Sequence, residues 1–175
     1  MNKALVVSTF TLTALLVSPL SLALDSVSLD VGRSSESTTT VRLGAQWDFG
    51  QTLWENRGGD LRLDGYWDIA ATYWGSLNVT SLDTSPVLRL NFGSGQPTPQ
   101  FYLEAGIGVA WFSRSNLAEG TRLGSSLQFA DRLGAGVRLA NGNDVSLRIF
   151  HYSNAGFNRR NSGVETVALH YRLNF

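Results

Sequence analysis

The chain of 175 residues contains no cysteine. That excludes a disulfide scaffold, a thiolate zinc site and a cysteine nucleophile. Histidine is nearly absent too: His151 and His170 are the only two. A multi-histidine metal site is therefore excluded. Charged residues make up 16%, well below the roughly 25% usual for soluble domains. Lys3 is the only lysine. Fourteen basic residues balance fourteen acidic ones. With no net positive charge and no basic run, a nucleic-acid partner is excluded. After residue 23 no apolar run approaches the ~18 residues of a membrane-spanning helix. What is present is 43% hydrophobic and 11% aromatic residues, with 18 Gly. Such content is too apolar for a disordered chain, and the length suits one domain with a sizeable core.

The first residues read as an export signal. Asn2 and Lys3 precede an apolar run from Ala4 to Val17. Ser18-Pro19-Leu20-Ser21-Leu22-Ala23 follows, with small residues at Ser21 and Ala23. This order of charged, apolar and small-residue regions predicts a signal peptide over 1–23, cleaved after Ala23. Residues 24–175 are then a single mature domain. Its only fixed cations are 13 Arg.

The mature chain alternates with period two. From 41 to 49 the odd row reads Val41, Leu43, Ala45, Trp47, Phe49. From 101 to 111 it reads Phe101, Leu103, Ala105, Ile107, Val109, Trp111. The even rows carry Arg, Asp, Glu, Gly and Ala. Side chains alternate across a strand, so each segment has an apolar face and a polar or small one. Eight such segments are visible, at about 25–35, 38–50, 60–75, 77–93, 99–113, 124–140, 143–154 and 163–175. Turn residues such as Asn56-Arg57-Gly58-Gly59 and Asn141-Gly142-Asn143-Asp144 separate them.

A soluble barrel would turn its charged row to water, where lysine should be common. Here that row holds arginine and carboxylates among small residues, which suits an enclosed ion-pair network in a narrow barrel. Aromatics on the apolar row suit interfacial girdles. The pattern predicts an all-β fold, an eight-stranded antiparallel transmembrane β-barrel of the bacterial outer membrane. Short turns should lie on the periplasmic side with both termini, and longer loops outside.

Three polar residues break the apolar row. The odd row of segment seven reads Val145, Leu147, Ile149, His151, Ser153. That of segment eight reads Glu165, Val167, Leu169, Tyr171, Leu173, Phe175. His151, Ser153 and Glu165 therefore lie on the lipid-facing wall, at the outer end of one hairpin. Polar groups there are costly unless interfacial or functional. A hydroxyl, an imidazole and a carboxylate are the parts of a hydrolase triad. Asn154-Ala155-Gly156 follows with a side-chain amide and two backbone N–H groups for an oxyanion hole. No G-x-S-x-G is present, which excludes an α/β-hydrolase elbow. His170 falls on the interior row. Asp131 falls on the outer row among Leu127, Phe129 and Leu133, so either a bulge shifts the parity or it has a local partner. Arg159-Arg160 lies in the outer loop, where lipid phosphates or water would meet it.

The run His151-Tyr152-Ser153-Asn154-Ala155-Gly156, with Asn161-Ser162-Gly163-Val164-Glu165, resembles the signature of the PagL-type lipid A 3-O-deacylases. So do Gly65-Tyr66-Trp67-Asp68, the stretch Glu104 to Ala110, and Asp131 to Gly136. The resemblance implies an eight-stranded outer-membrane enzyme that hydrolyses the ester at the 3 position of lipid A. It implies Ser153 as nucleophile, His151 as general base and Glu165 as orienting acid, with Asn154, Ala155 and Gly156 at the oxyanion hole. It implies no metal and no organic cofactor. The expected partners are lipopolysaccharide and outer-membrane lipids, with a homodimer left open. The acyl chain would lie on the outer wall of Val145, Leu147, Ile149, Val167 and Leu169, with Ile149 and Val167 nearest the triad. Two rival functions remain: a structural or adhesive barrel, and a different lipid-modifying barrel such as an acyltransferase or phospholipase.

Overall fold

The computed structural model describes residues 23–93 and 99–175; the predicted signal peptide lies outside the described residues except for Ala23. Eight long strands follow one another: β1 (Ser26–Ser34), β2 (Thr39–Asp48), β3 (Leu61–Trp74), β4 (Val79–Phe92), β5 (Gln100–Phe112), β6 (Leu127–Arg138), β7 (Asp144–Ser153) and β8 (Val164–Asn174). Each pairs antiparallel with its sequence neighbour, and β1 pairs with β8, so the sheet closes on itself. Closure leaves no long sheet edge unpaired. Every backbone group of a spanning strand then has a partner, as a bilayer requires.

The period-two rows dictate which face is which. Outward positions are the apolar ones, including Leu43, Ile69, Leu103, Ile107, Leu133 and Leu169, all exposed. Inward positions are buried and largely polar. The parity holds around the whole barrel, and no bulge interrupts β6 at Asp131. The β4–β5 ladder skips Ser85 and Pro86 but resumes in the same register. Proline has no N–H to give there.

The interior has two tiers. Nearer the end that bears the termini it is a network of ions. Arg42 meets Asp83 at 2.6 Å and also Asp68; Arg132 meets Asp68 at 2.6 Å. Arg148 bridges Glu104 at 2.5 Å and Asp30 at 3.4 Å, and His170 Nδ1 lies 3.0 Å from Asp30. Arg89 reaches Asp144 at 3.1 Å and stacks over Tyr102 at 4.3 Å. Nearer the opposite end the interior turns apolar. Trp74, Phe112 and Tyr152 pack with ring centroids 5.3–5.7 Å apart. The charged interior expected from the sequence is therefore only part of the filling.

The connections at the end opposite the termini are unequal. Tight turns span 35–38 and 75–78, whereas 113–126 and 154–163 are longer. A small hairpin, Asn116–Ala118 with Thr121–Arg122, folds over the barrel mouth. It carries Leu117 and leads into Leu123, both buried on the aromatic tier. At the terminal end the 49–60 connection is longer than either tight turn, and its Trp54–Glu55 pairs with Leu63 and Arg62. The expectation of short turns on that side thus holds for 139–143 but not for 49–60.

Candidate active site

The outward rows carry four charged or imidazole side chains among the described residues: Arg33, Asp131, His151 and Glu165. They sit on four contiguous strands, β1, β6, β7 and β8. Antiparallel pairing places His151 directly opposite Glu165 on one side and Asp131 on the other. The carboxylate takes the contact on the β8 side: His151 Nδ1 is 2.9 Å from Glu165 Oε1. These side chains are 41% and 52% exposed, so the pair stands open to the surroundings. With Nδ1 engaged, Nε2 is left for a proton from a neighbour.

Ser153 lies two residues on, on the same outward row of β7, and is half-buried. Its hydroxyl has no hydrogen-bond partner among the described residues. Catalytic hydrogen bonds are often long before substrate binds. Beside it, Phe129 is the cross-strand partner of Ser153. Phe129 packs against the highly exposed Phe157 at 6.1 Å, giving an aromatic shoulder to the site.

The turn after Ser153 is pinned by Asn154. Its side-chain amide donates to the carbonyls of Leu123 and Arg160, at 2.7 and 2.8 Å. Its side-chain oxygen Oδ1 accepts from Gly156 N–H at 3.0 Å. Ala155 and Gly156 both adopt left-handed backbone, with φ of 51° and 82°. These bonds involve two of the three donors expected at an oxyanion hole. The Asn154 amide and the Gly156 N–H are already bonded, and the Ala155 N–H has no partner among the described residues. Gly163 closes the loop at φ 67°, and a Cβ there would meet His151 Cε1 at 3.2 Å. Glycine at this point leaves the imidazole room.

An apolar groove of about 510 Å³ starts at Ile149 and Leu147 and crosses Leu133 and Ala135, Leu103 and Ala105 to Leu88. Small residues on β5 and β6 form its floor. Ile149 is the outward residue just below His151, and its partner across β8 is Val167. Val167 faces outward as expected but lies on the other side of β7 from the groove. Strands of such barrels tilt by about 35–45°. A straight chain running down the wall must therefore cross strands rather than follow the β7–β8 seam.

The structure joins His151 to Glu165, sets Ser153 two residues along the same outward row, and gives Asp131 a definite place beside His151. It also places Arg33, which the sequence reading passed over. The available signal was parity: Arg33 continues the outward row Val27, Leu29, Val31. No group of three or more potential metal ligands occurs among the described residues.

Comparison with known proteins agrees with this architecture. Residues 39–174 match the family model described as lipid A 3-O-deacylase (PagL). The lipid A deacylase PagL of Pseudomonas aeruginosa is 42% identical over 151 residues, covering 84% of each chain. That of Bordetella bronchiseptica is 37% identical over 130 residues, covering 71% of each. A crystal structure of the outer membrane enzyme PagL superposes with a TM-score of 0.79 at 41% identity. It covers 86% of this chain and 99% of the other. On the family match and these identities, the chain belongs to the lipid A 3-O-deacylase (PagL) family.

Proposed function

We propose that this protein is an outer-membrane esterase that removes the 3-O-linked acyl chain of lipid A. Residues 1–23 serve as the export signal that directs the remaining domain there. The observation that carries the chemistry is the His151–Glu165 contact of 2.9 Å on the outward wall, with Ser153 on the same row. Ser153 Oγ attacks the ester carbonyl carbon while His151 Nε2 takes the hydroxyl proton. Glu165 holds the ring by Nδ1 and stabilises its cation. The tetrahedral oxyanion meets the free Ala155 N–H, in a turn whose shape Asn154 and Gly156 maintain. Collapse breaks the bond to the sugar 3-oxygen, which takes the proton from His151. Water then attacks the acyl-enzyme by the same route in reverse, releasing the fatty acid and restoring Ser153.

The groove beginning at Ile149 supports an acyl chain lying outside the barrel. A chain inside would have to displace the aromatic tier and then the ion pairs. Along the outer wall it exchanges one apolar neighbour for another. This arrangement favours the lipid A reading over an acyltransferase that takes a chain into its lumen.

Mass spectrometry of lipid A from cells with and without the protein tests the activity. The expected result is loss of one 3-hydroxyacyl group, absent with Ser153→Ala. Unchanged lipid A with abundant folded protein in the outer membrane would overturn it.

A further inference from the structure

We propose that Arg33 binds a phosphate of the substrate, the one carried by the sugar that bears the scissile ester. This rests on the lipid A reading above.

Arg33 is the one fixed cation on the outward rows of the barrel strands among the described residues. The barrel arginines Arg42, Arg89, Arg132, Arg138, Arg148 and Arg172 all turn inward and meet carboxylates. Arg33 has no ion pair or hydrogen bond there. A guanidinium on a lipid-facing row calls for an anion.

Its position is specific. Arg33 is the last outward residue of β1 before the 35–38 turn, and its cross-strand partner is Val167. From His151 it is two strand spacings across, roughly 10 Å, and two residues along, roughly 7 Å. An extended arginine spans much of that separation. The turn is tied to the site: Ser35 N–H donates to Glu165 O at 2.9 Å, and Glu165 N–H donates to Ser35 Oγ at 3.2 Å. Arg33 is thus held at a set place relative to Glu165.

Direction and charge agree. The groove begins at Ile149, two residues from His151, and runs toward β6, β5 and β4. A lipid with its chain there extends its headgroup the other way, toward β8 and β1. The site itself presents two carboxylates, Glu165 and Asp131, to an anionic substrate. Arg33 offsets that repulsion, and its planar fork suits two phosphate oxygens. The loop cations serve less well. Arg114 is engaged with the Leu77 and Asn78 carbonyls at 2.6 and 2.7 Å. Arg122, Arg159 and Arg160 are exposed on loops beyond the wall.

The test compares three substrates in neutral detergent: intact lipid A, lipid A lacking its glycosidic phosphate, and lipid A lacking the phosphate on the distal sugar. Arg33→Gln should raise KM about tenfold for the first and third, with kcat unchanged. It should leave the second unchanged, and Arg33→Lys should recover part of the loss. Binding to the non-cleaving Ser153→Ala protein, with and without Arg33→Gln, reads the same contact without hydrolysis. If wild type cleaves none of the three while binding still depends on Arg33, the esterase reading fails and the phosphate contact stands. Equal losses on all three substrates, no loss on any, or a loss seen only when anionic phospholipid is added would each overturn the proposal. Heat-modifiable gel mobility checks that each variant is folded.

Discussion

Two imidazole–carboxylate pairs of nearly equal length lie on opposite faces of one wall. His170 meets Asp30 at 3.0 Å inside the barrel, and His151 meets Glu165 at 2.9 Å outside. The inner pair is fully buried, and Asp30 also receives Arg42 and Arg148. The Asp30 carboxylate is shared among three buried partners, and His170 Nε2 is sealed inside the barrel with no hydrogen-bond partner among the described residues. The outer pair is about half-exposed and has the Ser153 hydroxyl nearby, with no partner among the described residues. Distance alone therefore does not mark a reactive histidine. Nor does a free second nitrogen, since both rings are held at Nδ1; what separates them is that the outer ring is exposed and has a hydroxyl two residues along its own row.

The largest test of this contrast removes the outer chemistry. Ser153→Ala or His151→Ala should lower deacylation by about 10³-fold or more, since nucleophile and base act as a unit. Gel mobility before and after heating should be unchanged. Next comes the inner pair. Asp30→Asn should destabilise the barrel by about 3–5 kcal/mol, because it leaves buried cations under-paired. Denaturant titration should show this, while the folded fraction keeps its rate. Glu165→Gln should lower kcat by roughly 10²-fold, less than Ser153→Ala, because the ring can still act when less well oriented. Ile149→Asn should lower kcat/KM by roughly tenfold and alter chain-length preference, since it sets an amide in the apolar groove. Val167→Asn, across β7 from the groove, should do less; equal effects would place the chain on the β7–β8 seam instead. The smallest change is Asp131→Asn, about two- to fivefold in kcat, because Glu165 already holds the imidazole.

Much of this architecture was legible in the sequence because a barrel wall obeys one rule. Alternation set the facing of the residues on the barrel strands, and the eight segments coincide with the eight strands to within a few residues. Parity also put His151, Ser153 and Glu165 on one face. Register was harder to see. That Asp131 and Glu165 flank one imidazole depends on pairing between β6, β7 and β8, which no single strand encodes. The aromatic tier was missed for a related reason. Trp74, Phe112 and Tyr152 occupy inward positions one per strand, and only closure brings them together. The roles within Asn154-Ala155-Gly156 were likewise beyond sequence. Which donor stays free depends on the Leu123 and Arg160 carbonyls, which come from another loop and from further along the same one. The course of the groove from Ile149 across β6 and β5 to Leu88 was hidden as well, because it depends on which strands lie side by side.

The filled lumen has a consequence for the membrane that holds the protein. Ion pairs close one tier, packed aromatic rings close the other, and the Asn116–Arg122 hairpin sets Leu117 into the mouth. A barrel stoppered in this way offers no continuous water path and so adds no conductance. Copies can be added to an envelope without making it leak to ions or small solutes. In a single-channel bilayer recording the folded protein should leave the baseline current unaltered.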